Sequence, residues 1–232
     1  MLYVKLGEEG LYKYLSNQLG TFFPDGTVFE NSETRHAFKI ALERVEKCFS
    51  HISLPGFSSD NGDTYLSHLH TDQYAMFLYF FMNSLWKDSG NVAICSKIMT
   101  LNRMLHGFFL SFKCALPDIF CLQHPLGTVI GNACYNDYLV ILQNVTINTG
   151  TSEDGSLKPV LGRGLFLGAG AKIIGNEPIG DRCSIGVNTV IYNQRMDDDC
   201  IAISQKGETV ITKRKKEHCQ AQVFFRDTIP TL

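Results

Sequence analysis

The chain has 232 residues, 44% hydrophobic and 19% charged, enough for one large globular domain or two modest ones. Its 21 Lys and Arg against 23 Asp and Glu give a formal charge of -2, so no basic field draws in a phosphate backbone, and small molecules fit better than nucleic acid. The eight cysteines (48, 95, 114, 121, 134, 183, 200 and 219) are scattered without a CxxC pair, which excludes a recognisable zinc or disulfide framework and predicts reduced, mostly buried thiols.

The opening stretch, MLYVKLGEEGLYKYL, has no charged leader followed by an apolar run and a cleavage site, so a cytoplasmic chain is expected. From Ser32 to Ile52 the residues Phe38, Leu42, Val45, Phe49 and Ile52 form one apolar stripe of an amphipathic helix. The turn-rich segment LPGFSSDNGDT ends it. A second helix is predicted over Asp72–Trp86, apolar nearly all round and therefore in the middle of a bundle or against another subunit. Its apolar run, Tyr74 to Met82, falls far short of the roughly 20 residues that span a bilayer. A third helix is predicted from Asn91 to Phe109.

Near residue 115 the pattern changes. Leu161, Leu167, Ile173, Ile179, Ile185 and Ile191 recur every six positions, and Tyr135, Ile141 and Ile147 keep the same step. Gly162, Gly168, Gly180 and Gly186 directly follow four of these residues, and the small residues Ala171, Cys183 and Thr189 stand four places on. Three short strands per coil explain that period. The aliphatic residues stack inside, and glycine accommodates left-handed corners. The segment between Ile147 and Leu161, NTGTSEDGSLKPV, reads as a loop thrown out of the coil, its polar part (148–158) bordering an acceptor site. The expected fold class is α+β, with a helical domain (1–112), a parallel β-helix (113–212) and a basic C-terminal tail (213–232).

The stretches LQHPLGTVIG, VILQNVTINTG and PVLGRGLFLGAGAKIIGNEPIGDRCSIGVNTVI resemble the hexapeptide-repeat acyltransferases, and among them the serine acetyltransferase family. The resemblance implies a left-handed coil behind a helical domain, acetyl-CoA as co-substrate with no tightly bound cofactor, and a homotrimer or a dimer of trimers. Two departures fall where the family recognises serine. Gln123 stands where an Asp usually precedes the histidine, and Leu157 and Lys158 replace an Arg-His pair. Gln123, Lys158 and Asp72 are the candidate acceptor contacts. Serine and a sugar hydroxyl of a capsule or lipopolysaccharide precursor both stay open as acceptors.

An alcohol attacks a thioester only if a base takes its proton, and histidine suits that task near neutral pH. His124 is the one histidine between Pro117 and Lys216, and it occupies the family's catalytic position. Asp118, six residues earlier, is the nearest candidate to fix its tautomer, with Asp72 as the alternative. Backbone N–H groups at glycine corners can hold an oxyanion. Gly150, Gly168, Ala169, Gly170, Ala171 and Gly186 are therefore candidates to line a coenzyme groove, and Lys213, heading the cluster Lys213–Lys216, to hold a coenzyme phosphate. A zinc enzyme on such a coil needs three histidines and has one here, whereas a non-catalytic binding module needs none.

Overall fold

A computed structural model describes residues 1–148 and 159–229. The chain divides into two compact units, residues 1–50 with 55–113, and residues 51–54 with the chain from 114 onward. The first unit holds four helices, α1 (Glu8–Phe22), α2 (Ser32–Ser50), α3 (Thr71–Ser89) and α4 (Val92–His106). It also holds a parallel pair, β1 (Leu2–Val4) with β2 (Thr64–Leu66), and a short strand, β3 (Phe109–Leu110).

Local chemistry sets the helix ends. The α3 N-cap is His70, whose ring Nδ1 accepts from the Gln73 N–H at 3.5 Å, and left-handed Gly90 closes the helix. Asn91 caps α4, its Oδ1 accepting from the Ile94 N–H at 3.1 Å. Left-handed Gly107 ends α4 two residues before the expected Phe109. α2 stops at Ser50, and Ile52 instead forms an antiparallel bridge with Phe225 in the second unit. α3 is buried at every residue from Asp72 to Leu85 and packs on both α2 and α4, so its apolar circumference is the core of a single chain. α1 lies outside the sequence expectation. Leu11, Leu15 and Leu19 give it a buried stripe, but Gly10 and Gly20 within it and Gly7 at its N-cap blunt the signal.

The second unit is a parallel coil with three faces. The first face stacks β4 (Phe120–Leu122), β7 (Leu139–Ile141), β10 (Phe166–Leu167), β12 (Ser184–Ile185) and β14 (Cys200–Gln205). The second stacks β5 (Val129–Ile130), β8 (Thr146–Asn148), β11 (Lys172–Ile174) and β13 (Val190–Tyr192). The third pairs β6 (Cys134–Tyr135) with β9 (Val160–Leu161) and continues through single bridges to Ile179 and Met196. Leu167 lies opposite Ile185 and Ile173 opposite Ile191, which is three hexapeptides per turn of the coil. The periodic aliphatics Ile141, Ile147, Leu161, Leu167, Ile173, Ile179, Ile185 and Ile191 are all buried, as are Ala171, Cys183 and Thr189. All eight cysteines are free thiols, and all but Cys134 are buried.

Two expectations need correction. None of the four glycines after the periodic aliphatics has a positive φ; they are small because the next coil runs too close. A Cβ on Gly162 would lie 2.4 Å from the Gly180 carbonyl carbon, and one on Gly180 would lie 2.5 Å from the Asp198 nitrogen. Left-handed corners are carried instead by Gly164, Gly170 and Gly175 and by the non-glycine residues Tyr138, Asn144, Arg182, Asn188, Asn193 and Asp199. The second correction concerns residues 213–229, which are not a free basic tail. β15 (Glu208–Lys213) forms an antiparallel hairpin with β14, and the chain then folds back over the first face. There Phe224 meets Phe166, Phe225 meets Tyr138, and Ile52 bridges Phe225. Burial of Cys219, Ala221, Phe224, Phe225 and Ile229 holds this strap in place.

Candidate active site along one edge of the coil

The edge between the first and second faces is built from stacked corners. The N–H groups of Gln123, Leu142, Gly168 and Gly186 each donate to the carbonyl of the coil beyond, at Ile141, Leu167, Ile185 and Ala202, over 2.8–3.1 Å. Six positions separate the inward residues Ile141 and Ile147, and likewise Leu167 and Ile173, whereas eight separate Leu122 and Ile130. His124 sits in this enlarged first corner. The Leu126 N–H reaches back to the His124 carbonyl at 2.7 Å, closing a tight turn around buried Pro125. Buried Thr128 anchors the corner: its hydroxyl donates to the Leu142 carbonyl at 2.9 Å and accepts from the Val145 N–H at 3.1 Å.

His124 is exposed and has φ 51. The regular left-handed column of this edge is Gly127, Asn144, Gly170 and Asn188, in which each asparagine amide covers the glycine beside it. His124 lies outside that column, so its left-handed backbone is an additional cost of about 1–2 kcal/mol. Strain of this kind, held by a buried anchor, gathers where a side chain is being presented.

The remaining predicted residues divide into several groups. Gln123 is half-buried beside His124. Asp118 is exposed at the bend before β4 and His124 lies in the turn after it. The strand between them, β4, takes up about 10 Å. Asp72 lies in the first turn of α3 in the helical unit and is only 4% exposed. Gly150, Lys158 and the loop 149–157 lie outside the described residues. In the Gly168–Ala171 stretch, the N–H groups of Gly168, Gly170 and Ala171 already donate to Ile185, Gln143 and Gly168 carbonyls. Ala169 is the one amide of the four with no backbone acceptor among the described residues.

Gly186 and Lys213 do come together, at an open cleft of about 570 Å³ between the first face and the strap. Its floor is apolar, with Phe166, Val187, Ile201 and Ile203, and its rim carries Lys213, Lys215 and Lys216. The Lys213 ammonium donates to the Asp198 carbonyl at 2.6 Å. Beneath the rim, Asp199 accepts from the Arg182 guanidinium through both Nε and Nη2 at 2.9 Å, and also from Arg214. The Arg182 guanidinium chiefly holds the Asp199 carboxyl down at about 2, with Arg214 adding to the effect and burial opposing it. Sequence reading missed the apolar floor. Phe166, Val187, Ile201 and Ile203 fall on outward positions of the repeat, where a polar residue is the ordinary choice, and that misfit was the available signal. Among the described residues no group of three or more His, Cys, Asp or Glu side chains is arranged to hold a metal. No described helix is long and apolar enough to cross a membrane.

No protein-family model matches the chain. In sequence it is 32% identical over 127 residues to a serine acetyltransferase of Synechococcus elongatus, covering 54% of this chain and 52% of that protein. It is 29% identical over 119 residues to a serine acetyltransferase of Staphylococcus epidermidis, covering 51% and 55%. The chain thus spans about half the length of the curated relatives it matches. In structure it superposes on Neisseria gonorrhoeae serine acetyltransferase with a TM-score of 0.65 at 20% identity, covering 94% of this chain and 83% of that one. The Vibrio cholerae enzyme gives the same TM-score at 21% identity, covering 92% and 82%. By fold the chain is a helical unit joined to a hexapeptide-repeat coil. Among proteins of that architecture it resembles the serine acetyltransferases.

Proposed function

We propose that the chain is an acetyl-CoA-dependent O-acetyltransferase of the serine acetyltransferase type, with a left-handed coil. The observation that carries this reading is the shared edge. His124 lies at the first corner and the basic cleft at the fourth and fifth, and three coil spacings put His124 and Gly186 about 14 Å apart along the edge. A coenzyme laid along that edge has its thioester at the histidine and its phosphates at the cleft. Small residues at Gly168 and Ala169 leave the intervening path open.

In the reaction, His124 accepts the proton of an acceptor hydroxyl as its oxygen bonds to the acetyl carbon. The tetrahedral intermediate then expels the coenzyme thiolate, which recovers the proton from His124. Acetyl-CoA is consumed as co-substrate, with no tightly bound cofactor. The acceptor is a small hydroxyl compound. Serine is favoured by the likeness to serine acetyltransferases, among them a soybean enzyme solved with serine. A capsule or lipopolysaccharide sugar is the second reading, and Gln123 favours it, because a neutral amide gives no charge to pair with an ammonium. A non-catalytic module would have no use for a strained, exposed histidine. The chain acts in the cytoplasm as a homotrimer or a dimer of trimers, with exposed Val129, Val190 and Tyr192 of the second face supplying apolar contact between copies.

The test is thiol release from acetyl-CoA with L-serine and with a panel of sugars and nucleotide sugars, run on the natural chain and on His124→Ala. Release with one acceptor, lost in the variant, is expected. Equal release in both would remove His124 from the chemistry, and bound acetyl-CoA with no release from any acceptor would count against transfer to these classes.

A further inference from the structure

Successive corners of the edge that carries His124 place one repeat position above another. Thr128, Val145, Ala171 and Thr189 each stand two residues before the inward aliphatic of the second face, and all four are buried. At three of these corners the N–H of that residue closes its own turn on the carbonyl three residues back. Thr128 does so on Pro125 at 3.0 Å, Ala171 on Gly168 at 2.9 Å and Thr189 on Gly186 at 3.2 Å. The second corner is built differently. There the Thr128 hydroxyl stands between the same two groups, accepting from the Val145 N–H at 3.1 Å and donating to the Leu142 carbonyl at 2.9 Å. A side chain of the first corner is thereby part of the turn of the second. The Asn144 N–H, donating to the Leu126 carbonyl at 2.9 Å, ties the same two corners again. Without the hydroxyl, a buried donor and a buried acceptor would be satisfied only by closing the second turn on itself, and the first corner would lose its hold. The first corner needs that hold most, since it carries two extra residues and a φ of 51 at His124.

We propose that Thr128 is a positioning residue for His124: its hydroxyl, wedged into the second turn, keeps the enlarged first corner in register with the next coil and so fixes the base on the edge. It acts through the backbone of one turn. The Leu126 N–H holds the His124 carbonyl at 2.7 Å, and the Thr128 N–H holds the Pro125 carbonyl. This inference rests on the acetyltransferase reading for the chemistry that His124 performs.

The experiment combines thiol-release kinetics with urea melts on the full chain, on Thr128→Val and Thr128→Ser, and on His124→Ala and His124→Gly with and without Thr128→Val. Valine already fills the same position at 145, so Thr128→Val removes the hydroxyl and keeps the shape. If that chain does not fold, Thr128→Ala, the residue found at 171, is measured in its place. The kcat of Thr128→Val is expected to fall about 10²-fold, the usual cost of misplacing a reacting group by about 1 Å. KM for acetyl-CoA changes far less, and Thr128→Ser, which keeps both hydrogen bonds, restores the rate. Adding Thr128→Val to His124→Ala lowers the residual rate no further, because the two residues act as a unit. In the melts, His124→Gly outlasts His124→Ala while Thr128 is present and loses that lead in Thr128→Val, where the corner no longer imposes φ 51. An undiminished kcat in folded Thr128→Val, a further loss in the double variant, or the same glycine lead with and without the hydroxyl would each overturn the inference while leaving acetyl transfer intact. If no acceptor gives thiol release, the transferase reading fails, and the melts alone decide whether Thr128 holds the corner.

Discussion

In the helical unit the core is made of large rings, whereas in the coil it is made of branched aliphatics stacked one coil above another. Tyr12, Phe49, Phe57, Phe77, Tyr79, Phe80 and Phe81 are fully buried in the first unit, and several meet edge to face. Such a core fills space with side chains and leaves the backbones of neighbouring helices 8–10 Å apart. In the coil the backbones themselves pack at about 4.8 Å, so the tightest contacts are between main chains. A side-chain change is thus absorbed differently in the two units. The coil has almost no slack at its corners, and for that reason it can hold one strained residue still.

The largest effect is expected where that rigidity serves chemistry. His124→Ala should lower acetyl transfer by about 10²–10⁴-fold, the usual range for a general base, with an unchanged circular dichroism spectrum. His124→Gly should be equally inactive yet more stable than the alanine variant by about 1 kcal/mol in urea melts, because glycine adopts φ 51 freely. If the glycine and alanine variants melt together, the strain assigned to His124 is not there.

Next comes a glycine of the coil. Gly162→Ala places a Cβ 2.4 Å from both atoms of the Gly180 carbonyl, in a column where Gly180 is itself closed in by Asp198. Backbone cannot step aside as a side chain can, so the loss should be about 3 kcal/mol. A melting temperature within a degree or two of the natural chain would show that the coil has more slack than these contacts allow.

The helical unit should instead respond to acid. Burial pushes His106 down to about 4, below the ordinary value of 6.5, while its ring Nδ1 sits 2.7 Å from the Asn102 side-chain oxygen. Between those values the unfolded chain binds a proton that the folded chain refuses. Stability therefore rises with pH through this window and falls as pH drops from 6.5 towards 4, by on the order of 2 kcal/mol. Urea titrations at pH 7 and pH 4.5 should show a smaller difference for His106→Gln than for the natural chain.

Most of the coil was legible because its period of six is neither a helical nor a strand period and cannot be mistaken for either. The reason each glycine is present was not legible. Gly162 and Gly170 look alike in the repeat, but one avoids a backbone 2.4 Å away and the other takes φ 73 beneath Asn188. His124 was singled out by residue type and position alone. Its two-residue expansion of the corner is also visible in the sequence once Leu122 and Ile130 are counted against the six-step rule. The strap was missed because Lys213–Lys216 reads as a solvated run, and the residues that pin it, such as Phe224 and Ile229, show no period. α1 shows the same limit, since two glycines hid a stripe that tertiary packing needs.

One of those glycines gives the smallest test and the cleanest contrast with the coil. Gly20 lies inside α1, and a Cβ built there meets nothing within 4 Å. Alanine at that site removes backbone freedom from the unfolded chain and adds no contact that must be relieved. Gly20→Ala should therefore stabilise the protein by about 0.5–1 kcal/mol. The same substitution is thus predicted to have opposite signs in the two units, at Gly20 and at Gly162, with no difference in the chemistry of the added methyl group. Paired urea melts decide it. Stabilisation at both sites would mean that the corner backbones can move apart, and destabilisation at both would mean that α1 is packed against something at Gly20.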